Sequence, residues 1–386
     1  MMFKQLFKPA PTTQPKHPTK SNLDTTSLKL EQWMNQLVQQ APSQKTGTLA
    51  AYEPELLCIC CDTPPPTGND AVQWDEQSID YILRQCPLLR QVSFYGQQDP
   101  LVSLPRLLDL CRYLHQQRPD IAIHLYTSGE SLQQWGSALL QAPINTLVLQ
   151  LGGHTPSAFH QTTHQPAQTF LQRYSAVYDL LTKRIQSTLN HMTVVGSLAV
   201  NQHNFQQLPD MLRWSEQLGL DAVVFHNGQL PWANVSEASP VLNDDFIHEH
   251  LEAFHTMVSR LKPDQYRIPF RLPSVFDNVH GCGRQQCGFP YHAMTLTQDM
   301  STHTCPRLKV TAIETKKLWE GDVWNSQQFQ YLRAVHGHYQ QVRSQQPLTE
   351  VLPLLPKACH GCDLNRVAPP AWQNAHLLKQ PLPLWV

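Results

Sequence analysis

The chain has 386 residues, enough for one large domain with a smaller one beside it. Its 29 basic and 30 acidic side chains leave a net charge of −1, so no bulk field draws it to nucleic acid or to an anionic membrane. Ten cysteines fall in short groups behind an N-terminus with no apolar signal core. That usage points to metal ligation in a reducing, cytoplasmic setting rather than to a disulfide framework. No run approaches the ~20 apolar residues that a membrane span needs.

Residues 1–48 are polar and rich in Pro, Thr, Gln and Lys, and read as a flexible segment with one weak helical stretch, SLKLEQWMNQLVQQ. Over residues 49–275 the pattern becomes regular. LLCIC reads as a short strand and DEQSIDYILRQC as a helix; RQVSFYG and SLPRLLDLCRYLHQQ repeat the unit. AIHLYTSG with SLQQWGSALLQA, INTLVLQLGG with AQTFLQRYSAVYDLLTKR, HMTVVGSLAVN with NFQQLPDMLRWSEQLG, and DAVVFHN with DDFIHEHLEAFHTMVSRL complete six units. Alternation at this spacing predicts parallel βαβ units, an α/β fold of partial (β/α)6 barrel type. Several strands end in Gly or polar residues, as at a barrel face whose loops carry a site.

After residue 276 the alternation stops. Residues 276–367 are cysteine-rich, and residues 368–386 read as a tail. YHAMTLTQDMSTHTC predicts a hairpin with Gln298 and Asp299 at its tip, which would bring Cys287 and Cys305 together. Cys359 and Cys362 form a Cys-x-x-Cys knuckle further on. Four thiolates are the usual ligand set of an iron–sulfur cluster or a structural zinc. Cys282 is a spare fifth. The competing reading is ordinary buried cysteine.

These residues carry a resemblance. Cysteine, aromatic-containing strand, turn and cysteine, then LWEGDVWNSQQFQYLR, then Cys-x-x-Cys, resemble the SPASM-type domain of the radical S-adenosylmethionine superfamily. QQDPLVSLPRLLDLCRYL is similar to that family's Gly-Gly-Glu-Pro segment, HLYTSG to its strand ending in Thr-Asn-Gly, and AVNQHNFQQLPDMLRWSEQLGLDAVVF to its strand, Asn, helix and Gly turn. The resemblance covers residues 54–363. It implies a barrel with a small C-terminal domain, one auxiliary four-iron four-sulfur cluster on Cys287, Cys305, Cys359 and Cys362, and S-adenosylmethionine-contacting positions at Gly96, Asp99 and Ser128. Family members with auxiliary clusters modify ribosomally made peptides or protein side chains, which implies a peptide, protein substrate or partner enzyme.

The sequence departs from the family where radicals are made. In place of Cys-x3-Cys-x2-Cys it reads LLCICCDTPPPTGND. Starting at Cys58 puts Asp62 and Pro65 at the other two positions; ending at Cys58 and Cys61 puts Pro54 at the first. Gln97 and Gln98 replace two glycines, whose lack of a side chain lets backbone approach a ligand. Asp99 replaces Glu but keeps a carboxylate, Ser128 replaces Asn, and Leu151 and Gly152 stand where an acidic ribose contact is common. These changes count against S-adenosylmethionine binding, and more against its cleavage. Cys58 and Cys60, two apart in a strand, should share one face, with Cys61 opposite, and pack in the core.

Two other features are weighed. His248, His250 and His255 read as a solvated helix face. Gly152, Gly153 and His154 either line the barrel mouth or make a tight turn. The first functional reading is thus a binding or accessory protein with one auxiliary cluster and no radical-generating cluster. The alternatives are an active peptide-modifying enzyme whose first cluster uses Cys58, Cys61 and a distant ligand such as Cys86, and a zinc-stapled barrel.

Overall fold

A computed structural model describes residues 54–61, 74–96, 99–103, 106–187, 192–227, 242, 244–273, 276, 287–306, 315–343, 355, 359, 362 and 372–378. The readings at residues 1–48 and at Gln97, Gln98 and Cys282 lie outside them. All six expected strands form: β1 Leu56–Cys60, β2 Gln91–Tyr95, β3 Ala122–Thr127, β4 Thr146–Leu151, β5 Thr193–Ala199 and β6 Ala222–His226. The helices of the repeating units are α1 Glu76–Gln85, α2 Pro100–Ser103, α3 Leu107–Gln117, α4 Leu132–Gln141, α5 Pro156–Thr163, α6 Ala167–Gln186, α7 Leu208–Leu218, α8 Asp244–Glu249 and α9 Leu251–Arg260.

Local chemistry sets these boundaries. Asp75 caps α1 by accepting from the Ser78 amide at 2.9 Å, which satisfies a donor that the first turn leaves over. The 20-residue α6 buries Phe170, Arg173, Val177, Leu180, Leu181 and Arg184, a stripe at helical spacing. Gly153 is needed for a close approach: a Cβ there would lie 2.4 Å from the Phe159 amide nitrogen of α5. The pair is thus explained by packing against α5 rather than by a positive-φ turn, and both glycines also line a small pocket with Phe170, Arg173 and Trp214.

The sheet runs β7-β6-β5-β4-β3-β2-β1-β8-β9. The neighbours from β7 Phe270–Arg271 to β8 Ala293–Leu296 are all parallel, and β9 Thr302–His303 returns antiparallel on β8. Two parallel strands are therefore added to the six of the repeating units: β7, whose two residues are too few for alternation to reveal, and β8, the first strand of the expected hairpin, whose place beside β1 the sequence did not show. β8 lies beside β1, so the C-terminal hairpin extends the barrel sheet.

Strand alternation divides the core into two layers. Leu57, Ile59, Cys61, Val92, Phe94, Leu125 and Leu147 face the helices. Leu56, Cys58, Tyr95, Tyr126, Val148, Val195 and Val224 face the other side of the sheet, where they join Cys287, Phe289 and Cys362. Each fully buried aliphatic or aromatic side chain contributes about 1.5–3 kcal/mol. Truncating Leu57 would thus loosen the barrel wall by about 2–5 kcal/mol.

Two helices complete the C-terminal part among the described residues: the short α10 Phe289–His292, directly before β8, and the 17-residue α11 Gln327–Arg343. The buried Arg333 of α11 ties them together. Its Nε donates to the Pro290 carbonyl at 2.7 Å, Nη2 to the Trp324 carbonyl at 2.9 Å and Nη1 to Asn325 Oδ1 at 3.1 Å, while the guanidinium lies 4.5 Å from the Trp324 ring centroid. This is the Trp-x-Ser…Leu-Arg stretch singled out in the sequence. Its role here is to fix α11 against the segment that starts at Cys287. Among the described residues, no helix is long and apolar enough to cross a membrane.

Candidate functional site: a thiol chamber and the barrel mouth

The hairpin turns at Gln298 and Asp299, as its sequence predicts. Asp299 holds the tip: it accepts from Thr297 Oγ1 at 2.5 Å and Ser301 Oγ at 2.9 Å and pairs with Lys317. Burial works to raise its pKa, but Lys317, Thr297 and Ser301 together hold it well below the usual carboxylate range. The Gln298 amide donates to the Cys61 carbonyl at 2.8 Å and its backbone carbonyl accepts from the Trp74 indole at 3.0 Å, which ties the tip to the end of β1. β9 then runs back along β8 and returns Cys305 towards Cys287.

Cys287 is buried, and burial pushes its thiol pKa well up. Cys305, Cys362 and Cys359 push it further in that order, so the other three predicted cysteines all lie within electrostatic reach of Cys287. Cys362 is buried with Cys287 in the inner layer, and Cys359 packs beside Val335, Tyr339 and Leu355. The Cys362 amide donates to the Cys359 carbonyl at 3.3 Å, closing the knuckle. Among the described residues no three His, Cys, Asp or Glu side chains stand at metal-binding distances, and the nine described cysteines form no disulfide. The donor chemistry nevertheless fits a thiophilic centre. A buried thiol whose pKa is raised by burial and by neighbouring thiols, as that of Cys287 is, is what a bound cation relieves by stabilising thiolate.

Sequence reasoning missed two contributors. Cys58 and Cys60 do share the inner face, with Cys61 and Cys86 in the outer layer. That face, however, looks onto the chamber. Burial raises the Cys58 pKa, and Cys305 and then Cys60 raise it further; Tyr95 is raised by burial, then by Cys60, Cys58 and Cys305. Cys305 therefore stands between the two thiol groups. Period-2 alternation gave the face but not what lies across from it. The set Cys58, Cys61 and Cys86 is divided between the two sides of the sheet and is not brought together. The second contributor is His336 on α11, buried, with Nε2 3.8 Å from Cys359 Sγ. Burial alone lowers its pKa to about 4, so the imidazole is neutral at pH 7.

The barrel mouth is organised differently. Gly96 is buried at the end of β2. Asp99 is buried, and Oδ2 accepts from Thr127 Oγ1 at 2.7 Å, Ser131 Oγ at 2.5 Å and the Ser131 amide at 3.3 Å; Oδ1 accepts from the Leu101 amide at 3.2 Å. Ser128 is buried beside it and its Oγ accepts from the Glu130 amide at 3.5 Å. Glu130 pairs with Arg173, whose pKa is lowered by burial although Glu130 and Asp99 oppose the shift. The three predicted mouth residues are thus gathered at the ends of β2 and β3. His248, His250 and His255 are exposed, as read.

No protein-family model matches the sequence, and no curated protein matches it. Solved structures do. The chain superposes on Streptococcus suis SuiB bound to S-adenosylmethionine with a TM-score of 0.53 at 11% identity, covering 81% of this chain and 71% of that one. For SuiB bound to the precursor peptide SuiA the TM-score is 0.53 at 10% identity, covering 94% and 79%. For SuiB described without a ligand it is 0.52 at 11% identity, covering 91% and 78%. At these identities the likeness establishes the fold: a mixed α/β architecture on a mostly parallel sheet.

Proposed function

We propose that this chain is a radical-S-adenosylmethionine-like protein of the SPASM type that carries one auxiliary four-iron four-sulfur cluster. It lacks the radical-generating cluster and serves as a binding or accessory protein in peptide or protein modification. The observation that supports the reading is that Cys287 and Cys362 are buried in one layer and that Cys305, Cys362 and Cys359 all act on the Cys287 thiol. These four residues would hold the cluster, which when bound supplies thiolate-stabilised iron and a covalent staple between the hairpin and the knuckle. The chain's own residues do the rest. Arg333 fixes α11 to α10, the Asp299 turn fixes the hairpin, and packing with Phe289 keeps water from Cys287 and Cys362.

Two features support the accessory role. The segment after β1 offers no three-cysteine loop, and Cys61 and Cys86 face away from Cys58. Asp99 already accepts four hydrogen bonds from the protein, which weakens it as a partner for a ligand's ammonium group. SuiB has been solved with a precursor peptide, and that supports a peptide as the partner class. Iron, zinc and sulfide analysis of the anaerobically purified full chain tests the reading. About four irons with matching sulfide are expected; about eight irons would favour the active-enzyme alternative, and zinc without sulfide a purely structural site.

A further inference from the structure

We propose that α6 pairs with the α6 of a second copy of this chain, antiparallel about a twofold axis, in a weak and reversible dimer. The proposal stands apart from the cluster reading and concerns the opposite side of the sheet from the thiols.

One side of α6 is the buried stripe that packs on the core. On the other side Leu171, Tyr178 and Ile185 are 51%, 54% and 73% exposed. They stand seven residues apart, the repeat that keeps one line of side chains turned to a partner helix. Ser175 and Thr182 fall between them, so a strip about 20 Å long alternates large and small side chains. Single exposed apolar residues are ordinary; three in one line along a helix mark a contact surface. The helix also stands out from its surroundings. It has 20 residues where α4 has 10 and α7 has 11, so it reaches beyond the helices packed beside it.

The strip fits itself, as a twofold contact requires. Two antiparallel registers set large side chains over small ones. In one, Leu171 lies over the partner's Thr182 and Tyr178 over the partner's Ser175. In the other, Tyr178 lies over the partner's Thr182 and Ile185 over the partner's Ser175. The charges at the rim choose between them. Asp179 and Lys183 are exposed along one edge of the strip, and in an antiparallel pair like edges meet. In the second register Asp179 stands about 3 Å along the axis from the partner's Lys183, twice over by symmetry; in the first the offset is about 13 Å. The second also covers Ile185, the most exposed of the three. Antiparallel axes bring opposite ends of the two helix dipoles together. One strip covers about 400–500 Å² per copy, against about 800 Å² in a standard interface, which is why the dimer is weak. Since α6 crosses back between the parallel β4 and β5, the two barrel mouths open in opposite directions and neither covers the other.

The test is sedimentation velocity of the full chain from about 5 to 200 μM, where a contact of this size should pass from monomer to dimer. Ile185→Glu should move the midpoint up at least about tenfold, because it sets a charge against the partner's Ser175 in a closed strip. Asp179→Lys should weaken pairing by placing it against the partner's Lys183, and Asp179→Lys combined with Lys183→Asp should restore it. All three positions are exposed, so circular dichroism should match the wild type in every variant. A monomer throughout the range would overturn the proposal and leave the strip to another occupant. A dimer that survives Ile185→Glu, or one that the double charge swap fails to restore, would overturn it too by putting the contact or the register elsewhere. Iron content is measured on the same samples, so failure of the dimer leaves the cluster reading standing.

Discussion

At the barrel mouth Asp99 meets its hydrogen-bond demand inside the protein, with two hydroxyls and two backbone amides aimed at one carboxylate. In the thiol chamber the side chains that act on Cys287 are other thiols, and each raises its pKa. Both places are buried, and both gather polar groups from distant parts of the chain. They differ in what completes them. The mouth is closed by its own residues and should be sensitive to changes in those residues alone. The chamber is held in balance by whatever binds it, and its stability should follow occupancy.

The largest effect should come from the chamber. Cys359→Ser with Cys362→Ser should abolish iron binding and open the C-terminal segment to limited proteolysis, because ligation energy is folding energy in a metal-stapled unit. Full iron content in that double variant would erase the distinction between the two regions. Next in size is Asp99→Ala, which leaves the Thr127 and Ser131 hydroxyls without their charged acceptor. A loss of about 3 kcal/mol in chemical denaturation is expected, with iron content unchanged. A stability loss that vanished on iron removal would mean that the regions are coupled rather than separate.

His124 sharpens the comparison through pH. It sits on β3 facing the barrel interior, and burial lowers its pKa to about 3. Its folded value lies below its unfolded one, so the unfolded chain binds the extra proton. Its contribution is full above pH ~6.5 and is lost as pH falls towards about 3. At pH 5 the cost relative to pH 8 should be about 2 kcal/mol, and His124→Gln should flatten the stability profile across that range. The smallest effect belongs to the hairpin that joins the two regions. Asp299→Asn should cost about 1 kcal/mol at pH 7, given how exposed the pair with Lys317 is. Because the folded pKa is depressed, that difference should fade as pH drops below ~4, where the unfolded carboxyl also takes its proton. A pH-independent difference would assign the tip to packing instead.

Much of this architecture was legible. Six strands, their helices and the hairpin tip at Gln298 and Asp299 each left a local pattern of period or turn chemistry. That Cys58 and Cys60 share a face was legible too, since alternation alone fixes it. What lay across from that face was not. The pairing of β1 with β8 joins Leu56 to Ala293, and parallel contacts between segments so far apart leave no mark in either. The mouth residues were found by likeness of motif, but nothing in the letters around Asp99 says that Thr127 and Ser131 will fill it. His336 was passed over because AVHGHY is an unremarked helical run. Only the tertiary fold puts Cys359 beside it.

The two ends of the sheet have a further consequence. β7 does not end the sheet bare: Phe270 and Gln373 exchange backbone hydrogen bonds of 2.9 and 3.1 Å in an antiparallel bridge. Asn374 donates its side-chain amide to the carbonyls of Pro263 and Tyr266, both at 2.9 Å, while Trp372 and Leu378 lie on the inner barrel layer. At the opposite end Ser301 is bridged to Lys317 beside β9. An uncovered edge strand is a template on which another chain can add itself, the first step of aggregation. The short C-terminal segment therefore works as a guard, filling the backbone groups of β7 before a neighbouring molecule can. Its removal would make self-association, rather than unfolding, the first symptom.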